Sequence, residues 1–239
     1  MDYQEFGEFL GTWGPSLKKF IESPSCDGIY DHLRNRSSQG RIVLPAWQNT
    51  FRAFRETPKD KLKCVFFLQD PYPWRKGDLD VADGIALSCS ITKEEQPSLS
   101  LFFDGMEEDL KIKGSRNPDL SYLCRQGVMM LNTALTVELN RPNSHSMVRV
   151  LDKKIRLWEP FMKYFCEEVL KEHNGLPLVF CGKESQYYAR YVNPLQHYII
   201  KTEHPAAAAH AERKWKHEKV FSKVNFIVKH SDHQQIDWK

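Results

Sequence analysis

The chain has 239 residues, 41% hydrophobic and 27% charged, a balance that suits one large domain with a buried core and excludes a disordered or fibrous chain. Its formal net charge of +3 permits nucleic acid as a partner without requiring it. The six cysteines are scattered, with no Cys-x-x-Cys and no paired spacing, which indicates reduced core thiols and argues against a disulfide frame, a zinc site or an iron–sulfur cluster.

The acidic start MDYQEFGEF has the character of neither a signal peptide nor a transit peptide, and no apolar run reaches membrane-spanning length. The expectation is a soluble intracellular protein, of cytoplasm or nucleus, with no membrane partner. Residues 3–55 read as mostly helical: Phe9, Leu10 and Trp13 precede Pro15, Leu17, Phe20 and Ile21 follow it, and residues 49–55 predict a further helix before the turn at Pro58. Residues 64–68, CVFFL, have the length and composition of a strand buried on both faces. Pro71 fixes its own backbone and pushes Asp70 toward an extended conformation, so this strand stops at Gln69 and Asp70.

Three more apolar runs end in the same way. VMML at 128–131 ends in Asn132, LVFC at 178–181 ends in Gly182 and Lys183, and YII at 198–200 leads to His204 and Pro205. The long connections can hold crossover helices, with residues 151–170 carrying apolar side chains at helical spacing, and residues 219–229 predict a last helix. The pattern gives an α/β fold, a three-layer α/β/α sandwich around a central four-stranded parallel sheet. If the strands are parallel, a carboxylate, an amide and a histidine meet at one sheet edge, where such folds build their sites. RKWKH at 213–217 adds a basic, aromatic patch just beyond.

Taken in order, LPAWQNTFRAFRETP, FLQDPYP, ADGIALS, QPSL, QGVMMLNTALTV with NSH, VFCGKES, EHPAAAAH and the closing IDW resemble the family 1 uracil-DNA glycosylases, from about residue 44 to residue 238. The resemblance implies one glycosylase domain over residues 1–239, with 1–43 as a helical N-terminal part and 44–239 as the motif-bearing core. It implies a monofunctional enzyme that flips uracil out of DNA and hydrolyses its N-glycosidic bond for base excision repair, with no cofactor and no metal. Asp70 and His204 are then catalytic, the first acting on the water and the sugar cation, the second donating a hydrogen bond to uracil O2. Asn132 reads the base edge, because a carboxamide matches N3–H and O4 of uracil and mismatches cytosine. Tyr72 excludes the thymine methyl, Gln69 lines the pocket, and Leu87 lies against the base. Ser98 matches a phosphate-gripping serine; Ala206 offers phosphate a backbone N–H, Ala208 falls at the position of a base-stack wedge, and Arg213 and Lys214 add positive charge. Uracil-containing DNA is the expected partner of a monomeric protein, and an inhibitor protein that mimics DNA is a further partner the resemblance allows for.

The chain also departs from the pattern. Leu87 stands where the family stacks a phenylalanine on the base, and Leu68 and Pro73 replace a glycine and a histidine around the QDPY motif. Alanines at 206–209 replace serines and a leucine wedge. A single strand has no stack to keep open, so the expectation is a preference for single-stranded DNA. Two alternatives stay open: a catalytically weak DNA-binding or replication-accessory module on the same fold, and a glycosylase for another uracil-like modified pyrimidine.

Overall fold

The computed structural model describes residues 9–150, 153–231 and 234–239. The acidic start read as free of targeting signals lies almost wholly outside these residues. Strands β1 (Cys64–Leu68), β2 (Val128–Asn132), β3 (Pro177–Cys181) and β4 (Tyr198–Thr202) form one parallel sheet in the order β4-β3-β1-β2. Every residue of β1, β2 and β3 is buried, as continuous apolar runs require, whereas the edge strand β4 is largely open. Phe67 pairs with Leu131 on one side and Phe180 on the other, which brings the strand ends level.

Two adjacent phenylalanines set the layers. Successive side chains of a strand point to opposite faces, so Phe66 and Phe67 each need a separate helical cover. Phe66 meets Phe102 of α4 (Pro97–Leu110), Phe221 of α8 (Val220–His230) and Trp238. Phe67 stacks on Phe180 at 4.6 Å and meets Phe165, which follows α5 (Glu159–Tyr164) and touches Trp13 and Phe54. Trp13 adjoins α1 (Gly14–Ile21), and Phe54 belongs to α3 (Arg52–Glu56). The N-terminal helix α2 (Pro24–Ser38) starts on Pro24 with the Ser23 hydroxyl accepting from the Cys26 N–H, and its Arg36 pairs with the buried Glu138 at 2.5 Å.

The chain differs from the sequence expectation in its connections. Residues 151 and 152 lie outside the described residues, and instead of continuing a helix Lys153–Ile155 pairs antiparallel with Val148–Val150. The helix begins only at Glu159, with Pro160 in its first turn, where the missing N–H costs nothing. The stretch 49–55 splits into a 3-10 turn, Trp47–Asn49, and the short α3. All six cysteines are buried and free. Among the described residues no helix is long and apolar enough to cross a membrane.

Candidate active site

The carboxyl ends of the parallel strands open into a cavity of about 500 Å³, lined among others by Gln69, Asp70, Tyr72, Asn132 and His204. β1 delivers Gln69 and Asp70, β2 ends on Asn132, and His204 follows β4 and caps α7 (Pro205–His210). Three backbone and hydroxyl contacts knit the first two strand ends together: the Thr133 N–H donates to Leu68 O at 2.9 Å, and the Ala134 N–H and Thr133 hydroxyl donate to Gln69 O at 2.9 and 3.1 Å. β3 runs into Gly182, which precedes α6 (Lys183–Tyr187) and has a φ of +87°; a Cβ there would lie 2.7 Å from the Cβ of His204. A glycine is needed there for the histidine to sit as close as it does.

Asp70 is half-buried, and its Oδ2 accepts from the Asn143 N–H at 2.8 Å. Asn143 holds a left-handed φ of +65°, a conformation asparagine tolerates, and its side-chain oxygen accepts from Gln69 Nε2. Burial raises the pKa of Asp70 to about 6; the Asn143 hydrogen bond opposes that rise and the charge of Glu184 adds to it. The group is therefore mostly a carboxylate at neutral pH and stands poised to take up a proton.

His204 is fixed in one tautomer. Its Nδ1 accepts from the Ala206 N–H at 3.0 Å, so the proton of the neutral ring sits on Nε2. Burial, reinforced by nearby His210, lowers its pKa to about 4, so the ring is neutral at physiological pH. It offers a single N–H donor to whatever enters the cavity. Asn132 is 8% exposed and lines the cavity, and among the described residues its carboxamide has no hydrogen-bond partner. Its oxygen and its two N–H groups are therefore free to pair with a group that enters the cavity.

The wall opposite is built by Tyr72. Its hydroxyl lies 2.8 Å from Ser98 Oγ and donates to the Leu87 carbonyl at 3.3 Å. Leu87 also lines the cavity and takes a φ of +65°. Buried Asp83 holds its loop in that shape, accepting from the Ile85 N–H at 3.0 Å, the Ser88 hydroxyl at 2.6 Å and the Ser90 N–H at 2.9 Å, and pairing with Arg52 at 2.7 Å. Gly84, at φ +92°, lets this loop pass so close to Asn49 O that a Cβ would lie 1.8 Å from it.

The residues expected to grip DNA are placed less uniformly. Ser98 is 5% exposed and its hydroxyl is engaged with Tyr72. Ala206 lines the cavity together with Ala207 and Ala209. Ala208, at the position of the wedge, is 0% exposed and lies in the helix of residues 205–210, which packs on α4. Arg213 and Lys214 lie outside the cavity, paired with Glu203 and, at 3.3 Å, with Glu108. Trp215, read as part of an exposed patch, is core, its indole N–H donating to Glu203 O at 2.8 Å. Asn143, Trp74 and Pro142 also line the cavity, and the sequence reading gave none of them a role. The NSH motif held the signal for the first, since asparagine favours a left-handed turn.

The chain is similar to uracil-DNA glycosylases in sequence and in fold. A uracil-DNA glycosylase of Acinetobacter baumannii is 29% identical over 228 residues, 95% of this chain and 91% of its own length. One from Coxiella burnetii is 28% identical over 227 residues, 95% of this chain and 93% of its own length. The crystal structure of the mimivirus uracil-DNA glycosylase superposes with a TM-score of 0.85 at 20% identity, covering 100% of this chain and 89% of that one. The fold is that of the uracil-DNA glycosylases. A variant of the mimivirus protein in complex with UGI superposes with a TM-score of 0.82 at 19% identity, covering 100% of this chain and 91% of that one. No protein-family model matches the chain.

Proposed function

We propose that the chain is a monofunctional uracil-DNA glycosylase of family 1, acting as a monomer in base excision repair. The observation that carries this reading is one cavity holding an unpartnered carboxamide, a neutral histidine with its proton on Nε2, and a carboxylate. Full-length relatives named uracil-DNA glycosylase support it.

The chemistry follows from those groups. Uracil is rotated out of the strand into the cavity, where Asn132 accepts from N3–H and donates to O4; cytosine presents the opposite pattern. As the bond between N1 and C1′ breaks, its electron pair moves onto the ring and charge gathers at O2. His204 Nε2–H meets that charge, a pre-aimed donor of a kind typically worth about 2.7–4 kcal/mol. The sugar is left cationic beside the Asp70 carboxylate, which favours it and takes the proton of the attacking water. The products are free uracil and an abasic site. Tyr72, tethered through its hydroxyl, leaves room at C5 for hydrogen and not for methyl. Leu87 covers the base without aromatic stacking, which forgoes roughly 1–3 kcal/mol of affinity. With alanines along α7 and no wedge among them, single-stranded DNA is the preferred substrate. The complex of the mimivirus relative with UGI supports an inhibitor protein as a further partner.

Base release from matched oligonucleotides carrying uracil, thymine, cytosine or 5-hydroxymethyluracil, single- and double-stranded, tests the reading. Uracil is released, faster from single strands, and Asp70→Asn and His204→Ala each slow release about 10²-fold or more with DNA binding largely kept. Wild-type protein that binds DNA but frees no base moves the chain to the binding-module alternative.

A further inference from the structure

Between the strand end that carries Asp70 and the loop that carries Leu87, the chain makes a small excursion. Arg75–Lys76 and Leu79–Asp80 pair antiparallel around a two-residue turn at Gly77, where φ is +57°. The Val81 N–H closes the base of this hairpin on Trp74 O at 3.3 Å. Trp74 lines the cavity yet is 40% exposed, which puts its indole at the mouth. It is also held in place: its N–H donates to Gln96 Oε1 at 3.1 Å, and its ring lies 5.4 Å from that of Tyr72 at 45°.

An aromatic plane of this size kept half in water costs free energy unless a partner covers it. The cavity also has space to spare. At about 30 Å³ per water, its volume of about 500 Å³ is that of more than a dozen waters, against the eight non-hydrogen atoms of uracil. α7 lines the cavity with Ala206, Ala207, Ala209 and His210, and Ala208 is buried, so that helix supplies no large apolar side chain. Tyr72 and Trp74 are the two large aromatic rings lining the cavity, and Tyr72 is committed to the pocket wall. Arg75 and Lys76 on the same hairpin are exposed, each in a surface ion pair, with Asp80 and Glu94, of the kind that is individually weak and can yield to phosphate.

We infer that Trp74 is a nucleotide-binding residue, stacking on the base next to the flipped uracil, while the hairpin's basic side chains follow the adjoining phosphate. The inference rests on the proposed glycosylase reading and adds a second base site to it. Stacking on an indole is tolerant of sequence, so the neighbouring base is gripped whatever its identity. The hairpin thereby supplies apolar contact that the alanines of α7 do not.

The test combines Trp74→Ala and Trp74→Phe with single-stranded oligonucleotides in which the bases flanking uracil are either present or abasic. With flanking bases present, Trp74→Ala raises KM roughly tenfold with kcat little changed, and Trp74→Phe recovers most of the loss. Removing the flanking bases raises the wild-type KM by a similar factor and leaves that of Trp74→Ala nearly unmoved. If abasic flanks penalise both proteins equally, or Trp74→Ala leaves KM unchanged, the inference is overturned while the glycosylase reading stands. A binding arm is independent of turnover: a single strand bearing a non-hydrolysable uracil nucleotide quenches indole fluorescence in wild type more than in Trp74→Phe. That arm still decides on Trp74 if the wild-type protein releases no uracil, the outcome that would fail the reading itself.

Discussion

Asp70 and His204 sit in the same cavity and titrate in opposite directions, for one reason. Burial disfavours charge, so it raises the carboxyl to about 6 and lowers the imidazole to about 4. In the proposed mechanism only ionised Asp70 assists the reaction, so the rate constant for uracil release is expected to fall as pH drops through about 6, with His204 still neutral at that point. A pH–rate profile checks this, and Glu184→Gln, which removes a negative charge acting on Asp70, moves the acid limb to lower pH. The same shifts bear on stability. The folded state holds the Asp70 proton more tightly than the unfolded chain does, so this group opposes folding increasingly as pH rises from about 4 through 6. Asp70→Asn therefore stabilises the protein at pH 7, by an amount on the order of 2 kcal/mol, measurable by denaturant melts. His204 acts the other way: its contribution is complete above pH 6.5 and is lost as pH falls toward 4.

At the scale of elements, the site is made by strand ends and the turns directly after them. Gly182 shows how little slack they have. Gly182→Ala places a methyl against the Cβ of His204 and forces a side chain into φ +87°. The expected outcome is a fall in kcat of about tenfold or more, with uracil-DNA affinity less affected, because the donor and not the base edge is moved. Steady-state kinetics on a single-stranded substrate separates the two. The four strands and the residues at their ends were legible in the sequence because a buried parallel strand writes itself as an unbroken apolar run and proline marks its stop. The turns were not. Whether residues 153–155 pair as a ribbon or wind as a helix depends on partners that periodicity does not name. That Ala208 is buried could not be read from a run of four alanines, because it depends on its helix lying on α4, a tertiary contact. Trp74 was silent for a similar reason: nothing in PYPWRKGDLD says that the indole folds back over the cavity.

On the scale of the whole molecule, one strand carries both covering layers. Buried side chains from Leu10 to Trp238 belong to a single apolar cluster, with Phe66 serving one face and Phe67 the other. Trp238 is 2% exposed, lies 5.0 Å from Phe221 and 6.0 Å from Phe66, and its indole N–H has no hydrogen-bond partner among the described residues. Trp238→Ala is expected to cost about 3–5 kcal/mol, read as a lower denaturant midpoint. Trp238→Phe costs clearly less, since it fills most of the space and removes an unsatisfied polar group. Activity per folded molecule changes little in either variant, because Trp238 is not among the residues that line the cavity.

The contact between Phe66 and Trp238 also orders events during synthesis. The strand that ends in Asp70 leaves the ribosome early, but the ring that completes the cover over Phe66 follows all four strands and α8. Until then a nascent chain carries one apolar face of β1 without its full cover, and loop closure over so long a separation is slow. The fold that holds the cavity is thus completed only late in synthesis. Uracil release by a stalled, ribosome-bound chain should appear only when the stall site lies far enough beyond Trp238 for that residue to clear the exit tunnel.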